Sequence, residues 1–472
     1  MEFKVLSHAC LFVRHGATSI VIDPWLLGSC YWRSWWNFPE PVFDEAELNG
    51  VDAVVISHIH WDHWHGPTLK KLLAGKRVII PDEPGLRSEK DLHTIGFNDV
   101  QRVPHGVCVA LGDLRITLYQ FGRYLNDAAV VIEGGGVVLL NANDAKIAGP
   151  ALRHIVSRHG PIDFAFRSHS SANPRICFEI IGDKGFVADD REHYFRSFMS
   201  FMDVVKPRYA IPFASNHCHL HDDVFALNGY ISNPLELRKY CDQRGGLSWQ
   251  LQVMLPGSRW EASAGFTLRD EHVFDDLPRA LAEQREAAAP KLAQYRAQEQ
   301  AVAISERILQ RFMDYFKAKG KPASVTGRFL LRLRWPNGEG QTFQCDIDQG
   351  DCGVQEEGAK LPSAGLPMME MPAIIFRDAV LKNMFHHAGI SKRCRYLAVN
   401  ADDMAQLVRM VGFLDNCELG VYPKNWAYRQ RLYSTYVRRW RELLVYAHAL
   451  WLLKIRKMPM YLVEEAVLKG QY

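Results

Sequence analysis

One short stretch of the chain gathers side chains that commonly bind metal ions. His58, His60, Asp62 and His63 follow directly after the apolar run 51–57, which predicts a buried strand. A loop that leaves a strand end can turn several side chains toward one point, and mixed imidazole and carboxylate groups suit zinc, iron or manganese. The spacing therefore predicts a metal site on this loop.

A centre with two metal ions needs further ligands, which we expect from the ends of later strands. The apolar run 137–140 is soon followed by Asp144, a candidate for a carboxylate that bridges two metals. An ordinary Asx turn is the alternative interpretation of Asp144. Three histidines, one of which we expect to bind metal, follow the apolar run 209–213: His217, His219 and His221.

The elements that must position these groups predict a mixed α/β chain. Residues 1–265 alternate short strand-like runs with turns and some helical periodicity, and they predict a catalytic domain. Residues 266–322 are rich in Ala, Glu, Gln and Arg and predict a helical connector. Residues 323–472 predict a second α+β accessory domain with a basic, aromatic and helical C-terminus. In this domain, His386 and His387 lie near a predicted helix end, which favours a structural role.

Composition narrows the classes of partner and compartment. The 472 residues predict two or three domains at about 150 residues each. The formal charge of +3 is small, so no nucleic-acid partner is expected. Ten cysteines without a Cys-x-x-Cys pair predict reduced thiols in a cytoplasmic protein. The longest apolar stretch, 443–453, is about half of the ~20 residues that a membrane span requires, so no span is expected.

The loop from His58 to His63 resembles the signature of the metallo-β-lactamase superfamily, whose fold is an αββα sandwich with the metals at one edge of the paired sheets. Within that superfamily, several flanking segments are similar to the lactamase-fold region of the CMP-N-acetylneuraminate hydroxylases: residues 23–28, 35–36, 40–41, 67–72, 126–128, 144, 206–208, 212–214 and 233–237. The resemblance covers about residues 1–265. It implies a dinuclear centre, with iron favoured and zinc the alternative, that activates dioxygen to hydroxylate a nucleotide-linked sugar.

The resemblance also implies roles for individual residues. His58 and His60 would hold one metal, Asp62 and His63 the other, Asp144 would bridge them, and His221 would complete the second site. His217 and His219 stay alternatives to His221. His8 is similar to first-strand histidines of the superfamily and is a candidate to support the ligands.

This chain departs from the family pattern before Asp127. The family places a histidine there, whereas this chain has Arg123 to Leu125. Asp127 or His105 is a candidate to replace the missing ligand. Arg123 is a candidate catalytic residue that would hold a phosphate or carboxylate of the substrate.

A second departure concerns the supply of electrons. The hydroxylases carry a Rieske iron–sulfur domain, which needs Cys-x-His followed later by Cys-x-x-His. Cys218 with His221 matches the second half, and no cysteine has a histidine two residues on. We therefore expect a separate ferredoxin or reductase to supply electrons.

Three functions stay open at this point. The first is a di-iron oxygenase that acts on a small polar, nucleotide-like or sugar-like substrate. The second is a dizinc hydrolase of a phosphoester, amide or lactone, in which Asp62 would orient the attacking hydroxide. The third is a metal-binding scaffold without catalysis. Four residues are candidates to line the substrate pocket: Trp35, Trp36, Trp61 and His169.

Overall fold

Within the part of the chain that is described here, the strands form four β-sheets. The computed structural model describes residues 1–122, 127–170, 174–181, 191–318, 325–355, 366–458, 463 and 466–468. The strands are β1 (Glu2–Val5), β2 (Leu11–His15), β3 (Thr18–Ile22), β4 (Ser29–Cys30), β5 (Trp35–Asn37), β6 (Ala53–Val55), β7 (Arg77–Pro81), β8 (Val100–Val103), β9 (Cys108–Leu111), β10 (Leu114–Phe121), β11 (Asp127–Gly134), β12 (Val137–Asn143), β13 (Phe164–Ser168), β14 (Phe178–Ile180), β15 (Tyr209–Phe213), β16 (His217–His219), β17 (Gln250–Leu251), β18 (Arg259–Glu261), β19 (Gly265–Thr267), β20 (Arg328–Arg334), β21 (Gly340–Asp346), β22 (Asp351–Val354), β23 (Met368–Pro372) and β24 (Arg395–Ala398). The helices are α1 (Glu45–Asn49), α2 (Gly66–Leu72), α3 (Arg87–Thr94), α4 (Gly149–His159), α5 (Arg191–Val205), α6 (Pro234–Arg244), α7 (Leu277–Gln300), α8 (Glu306–Ala318), α9 (Ala373–Lys382), α10 (Phe385–Ile390), α11 (Ala401–Glu418), α12 (Trp426–Arg438) and α13 (Trp440–Lys454).

The two largest sheets pack face to face. One has the strand order β19-β18-β1-β2-β3-β6-β7-β8, and the other has the order β17-β15-β13-β12-β11-β10-β9. Apolar side chains from both sheets, such as Phe3, Val55, Val130 and Phe164, fill the space between them. Because these strands are buried on both faces, their sequences are nearly continuous apolar runs.

Helices cover the outer faces of both sheets. Leu69 of α2 and Leu92 of α3 pack on the first sheet, while Leu152 of α4, Phe198 of α5 and Leu237 of α6 pack on the second. We call this four-layer unit the N-terminal sandwich. The predicted αββα sandwich is therefore confirmed.

Several parallel strands end at one edge of the N-terminal sandwich. β3, β6 and β7 run parallel in the first sheet, and β12, β13 and β15 run parallel in the second. The two sheets are tied together at this edge, because the backbone N–H of Ala128 donates to Ser57 O at 3.2 Å and that of Ala214 donates to His8 O at 3.0 Å. Loops that leave these strands therefore meet at one place.

A small three-stranded sheet lies beside the same edge. Its order is β16-β5-β4, and it pairs His217 with Asn37 and His219 with Trp35. This pairing brings the tryptophan-rich segment next to two of the three late histidines.

A second sheet-and-helix unit follows the helices of the connector. Its six strands have the order β14-β24-β23-β20-β21-β22, and α8, α9 and α11 bury Phe312, Phe376 and Phe413 in one core with Phe329. We call residues 306–454 the C-terminal region. Strand β14 comes from within the first 265 residues and pairs in parallel with β24, so the six-stranded sheet draws on distant parts of the sequence.

Two further findings concern the cysteines and the membrane. Cys345 and Cys352 lie directly opposite each other on β21 and β22 and form a disulfide. The expectation that all thiols are reduced is therefore wrong for this pair, because the antiparallel register brings together two cysteines that sequence spacing alone does not mark as partners. No helix among the described residues is long and apolar enough to cross a bilayer.

A buried cluster of charges joins the N-terminal sandwich, α7 and the C-terminal region. Arg393 donates to Glu299 from Nη1 at 2.9 Å and Nη2 at 2.7 Å and from Nε to Asp223 at 2.8 Å. Arg33 donates to Glu299 at 3.1 Å. We call Arg33, Asp223, Glu299 and Arg393 the junction cluster, because its members come from all three parts of the chain.

Candidate metal centre

Three overlapping groups of histidines and carboxylates lie at the edge where the strands end. In each group the potential ligand atoms are all within 4.8 Å of one another. The groups are His58, His60 and Asp127; His58, His63 and Asp144; and His8, Asp62 and His63. Because neighbouring groups share His58 and His63, the seven side chains form one continuous cluster.

The distances divide this cluster into two halves around Asp144. On one side, His58 Nε2 is 2.8 Å from His60 Nδ1 and 3.9 Å from Asp127 Oδ1. On the other side, Asp62 Oδ2 lies 3.5 Å from His63 Nε2 and 3.2 Å from His8 Nε2. Asp144 Oδ2 is 3.4 Å from His63 Nε2. The geometry thus offers two adjacent three-ligand sites with a carboxylate between them.

Four buried atoms in the cluster make no hydrogen bond of acceptable geometry among the described residues: both ring nitrogens of His8, His63 Nε2 and Asp127 Oδ1. A buried polar atom without a partner costs about 1–3 kcal/mol. Cations bound in the cluster would give His63 Nε2, Asp127 Oδ1 and one nitrogen of His8 a partner. The donor set and its orphaned atoms therefore fit metal ions.

The electrostatics of the cluster also favour a cation. Burial, with the nearby Asp144 carboxylate, raises the pKa of Asp127 to about 7. Burial, with the charge of His63, lowers the pKa of His58 to about 3, so this imidazole is neutral near pH 7 and keeps a lone pair for a metal. Crowded carboxylates beside the neutral His58 imidazole form a site that a positive ion stabilises.

Polar side chains behind the cluster hold its members in place. His63 Nδ1 donates to Asp23 Oδ2 at 2.8 Å, which leaves His63 Nε2 pointing at the cluster. Ser57 also binds Asp23, through its backbone N–H and its hydroxyl, both at 2.7 Å. The Tyr31 hydroxyl donates to Asp62. Such carboxylate–histidine pairs orient ligands in metalloproteins, and sequence reasoning gave no site role to Asp23 or Tyr31. The position of Asp23 directly after β3, beside the end of β6, is the signal that could have found it.

The C-terminal region reaches the metal loop through a histidine. His386 Nε2 lies 2.9 Å from His60 Nε2, and His386 Nδ1 lies 3.6 Å from Asp415. Next to it, His387 donates to Glu418 and is 3.2 Å from Ile59 O. The predicted structural role of His386 is thus incomplete, because this side chain contacts a candidate ligand. No local sequence signal marks a contact between residues 326 positions apart.

Removal of the His386 imidazole should weaken metal binding without removing a ligand. We expect His386→Ala to lower metal affinity by about 10–100-fold, the usual effect of losing a group that orients a ligand. Competition with a chromophoric chelator measures this affinity. His272→Ala removes an exposed histidine that pairs only locally with Asp275 and should leave the affinity unchanged; an equal loss in both variants would contradict a positioning role.

His221 and His105, two of the four candidate ligands outside the cluster, have other partners. His221 Nε2 is 3.5 Å from Glu299 and its Nδ1 is 3.8 Å from Asp223, so His221 borders the junction cluster. His105 Nδ1 accepts a hydrogen bond from the backbone of Gln120 at 3.0 Å. Of the two candidates to replace the family histidine, Asp127 belongs to the cluster and His105 does not.

His217, His219 and His169 are buried near the cluster but belong to none of its groups. The His217 ring stacks on Trp35 at a centroid distance of 3.8 Å and lies 5.5 Å from the His8 ring. Neither ring nitrogen of His217 or His169 has a hydrogen-bond partner in the described parts of the chain. His219 Nδ1 lies 3.1 Å from Ser34 O. These residues form a layer on the His8 side of the cluster.

The other pocket candidates have mixed placements. Trp61 lies between Tyr31, at a ring distance of 5.9 Å, and His387, at 4.8 Å. Trp36 donates from Nε1 to Arg33 O at 3.0 Å and so contacts the loop backbone. Arg123, the candidate for holding an anionic group, lies outside the described residues.

The family comparison agrees with the fold of the N-terminal sandwich. Residues 2–162 match the family described as "Beta-lactamase superfamily domain". This part of the chain is therefore similar to that family and has the metallo-β-lactamase fold.

Curated relatives carry two kinds of name. The cytidine monophosphate-N-acetylneuraminic acid hydroxylase of Pongo pygmaeus is 34% identical over 152 residues, which cover 30% of this chain and 26% of the hydroxylase. A Mycobacterium tuberculosis protein named "Putative Rieske 2Fe-2S iron-sulfur protein" is 26% identical over 354 residues, which cover 67% of this chain and 66% of that protein. The chain thus spans about a quarter of the length of the hydroxylases that it matches.

Solved structures overlap with part of the chain. The diiron β-hydroxylase CmlA from Streptomyces venezuelae gives a TM-score of 0.38 at 20% identity and covers 55% of this chain and 53% of its own. An isothiocyanate hydrolase from Delia radicum gut bacteria gives a TM-score of 0.41 at 13% identity and covers 55% of this chain and 99% of its own.

Proposed function

We propose that the chain is a di-iron oxygenase that hydroxylates or oxidises a small polar substrate of nucleotide-like or sugar-like character. The observation that supports this proposal is the number of carboxylates in the cluster. Asp62, Asp127 and Asp144 join four imidazoles, and Asp127 is the candidate to replace the histidine that the family pattern places just before it. A ligand set with several carboxylate oxygens suits iron or manganese, whereas zinc sites typically have sets rich in nitrogen and sulfur.

In this proposal His58, His60 and Asp127 would hold one iron, His8, Asp62 and His63 would hold the other, and Asp144 would be shared between the two. Two bound iron ions would supply the redox chemistry that activates dioxygen. The protein supplies position: Asp23 orients His63, and Tyr31 holds one oxygen of Asp62 so that the other faces His63 and His8. Burial of His8, His58, Asp62 and His63 keeps bulk water away from the reacting groups.

A cation beside the cluster supports the proposed substrate class. The Lys392 ammonium group lies 5.5 Å from the centre of the Trp35 ring. A nearby cation favours a substrate with a phosphate or carboxylate. The names of the hydroxylase and Rieske-protein relatives support a separate ferredoxin or reductase as electron donor.

Metal content and oxygen dependence test this proposal together. Protein purified without added metal should contain two iron ions per chain, and its optical spectrum after anaerobic reduction should change when oxygen is added. Two zinc ions and no response to oxygen would overturn the oxygenase proposal and favour a hydrolase. Absence of metal from every preparation, including protein reconstituted with ferrous iron, would instead favour the non-catalytic scaffold.

A further inference from the structure

Helices α12 and α13 form an elbow with a groove on its inner side. The two helices meet at Arg439, and the groove between them has a volume of about 710 Å³. Its walls are mainly apolar and aromatic and include Tyr433, Tyr436, Leu443 and Leu450. A groove of this volume is large enough to hold an apolar molecule of the size of a typical drug.

The surface of this elbow, including its groove, exposes an unusual amount of apolar area. Nine of the seventeen exposed large hydrophobic side chains among the described residues lie between residues 426 and 455. They include Trp426, which is 73% exposed, and Val437, which is 75% exposed. Scattered exposed hydrophobics are normal, but a concentration of this kind marks an interaction surface.

Each helix of the elbow packs against the rest of the protein with a side other than the exposed apolar one. Tyr428 of α12 packs with Ile59 of the metal loop, and Val445 and Leu452 of α13 pack in the core beneath α4. The N–H of Gly122 donates to the Glu442 carboxylate at 2.9 Å. The elbow is thus held on the N-terminal sandwich by one side and presents the other to solvent.

The same segment is strongly basic. Residues 424–457 contain nine Lys or Arg residues and one acidic residue, Glu442. Arg439 forms a buried ion pair with Glu442 at 2.5 Å, so eight cations remain against a net charge of +3 for the whole chain. Arg429, Arg438 and Lys454 are exposed members of this set.

We propose that the α12–α13 elbow docks the protein on an anionic membrane surface. Tryptophan, tyrosine and leucine side chains would enter the boundary between headgroups and acyl chains, while the arginines and lysines would contact anionic headgroups. Exposed aliphatic side chains such as Leu443, Leu444 and Ile455 argue against nucleic acid, which binds through charge and aromatic stacking. A surface with long cationic side chains around apolar and aromatic groups is typical of interfacial helices.

Flotation with lipid vesicles tests the proposal on the whole 472-residue chain. The vesicles are phosphatidylcholine alone, or three parts phosphatidylcholine to one part phosphatidylglycerol. We expect binding to the anionic vesicles that weakens as salt is raised, and little binding to the neutral ones. The triple variant Arg429→Glu, Arg438→Glu and Lys454→Glu should bind at least about tenfold more weakly. The triple variant Trp426→Ser, Val437→Ser and Leu450→Ser should also lose binding, and it leaves the charge unchanged.

Matched controls separate this surface from general effects of charge and polarity. Lys70→Glu, Lys71→Glu and Lys90→Glu make the same change in charge on α2 and α3, and Val354→Ser with Val408→Ser removes exposed apolar groups elsewhere. These variants should bind vesicles as the wild type does. Equal losses in the controls, or no vesicle binding by the wild type, would overturn the proposal. Salt-sensitive binding to a random oligonucleotide without vesicle binding would assign the surface to nucleic acid and overturn it as well.

Discussion

Replacing Asp144 by Ala is expected to remove at least one of two bound metal ions. Asp144 belongs to the middle ligand group, with His58 and His63, and stands between the two three-ligand halves. Loss of an orienting group alone costs about 10–100-fold in metal affinity, so loss of a shared ligand should cost more than about 100-fold. The number of metal ions per chain, measured by elemental mass spectrometry after dialysis, tests this expectation.

Two further variants sharpen this experiment. Asp113→Ala removes an exposed aspartate that belongs to none of the ligand groups and should retain both metals. His221→Ala should also retain them, because the structure places this side chain beside Glu299 and Asp223. A full complement of metal in Asp144→Ala would contradict the bridging role. A loss in His221→Ala equal to that in Asp144→Ala would restore the role that the family resemblance implied for His221.

The second large effect is expected in the junction cluster. Arg393→Met should lower the free energy of unfolding by about 3–5 kcal/mol, because it leaves buried carboxylates with fewer partners. Both Glu299 and Arg393 are almost fully buried. Water therefore cannot solvate the Glu299 carboxylate in place of the lost guanidinium group. Urea denaturation followed by tryptophan fluorescence measures the change.

Exposed and paired substitutions provide the comparison. Arg279→Met breaks an ion pair with Glu283 that is exposed on both sides and should leave the stability nearly unchanged. The double variant Arg393→Met, Glu299→Leu should recover part of the loss, since it removes both charges. A loss for Arg393→Met no larger than that for Arg279→Met would show that the junction cluster contributes little.

The junction cluster also predicts how stability depends on pH. Burial opposes ionisation of Glu299, but hydrogen bonds from Arg393 and His221 outweigh it and lower the pKa of this carboxyl. A carboxyl with a lowered folded pKa stabilises the protein above its unfolded pKa of about 4.3 and loses that contribution as the pH falls. Wild type should therefore lose more stability below about pH 5 than Glu299→Gln does. Parallel pH profiles for the two proteins would contradict this coupling.

The sandwich could be predicted because its signals are local. Apolar runs with turns between them indicate strands, and the metal loop places four candidate ligands within six residues. Asp144 was accessible by the same reasoning, since it follows the end of a strand. The late histidines show where local reasoning stops: His217 and His219 lie in β16 on the same face of the strand, whereas His221 lies beyond its end. Residue spacing alone does not indicate which of the three faces the cluster.

The contacts between the C-terminal region and the N-terminal sandwich could not be predicted from the sequence pattern. His386 approaches His60, and Arg393 reaches Glu299 and Asp223, only because α10 and the start of β24 pack against the N-terminal sandwich. Packing of this kind depends on the shapes of two folded surfaces. A pair of histidines near a helix end carries no sign of what lies opposite.

Strand β14 has a consequence for how the chain can be divided. It belongs to the first 265 residues, yet it forms an edge of the six-stranded sheet beside β24. A fragment that ends at residue 265 would keep β14 without its partner strand. The remaining fragment would expose the backbone hydrogen-bonding groups of β24, and such an exposed strand edge promotes aggregation. The two halves of this protein are therefore interleaved, so deletion of either one removes a piece of the other.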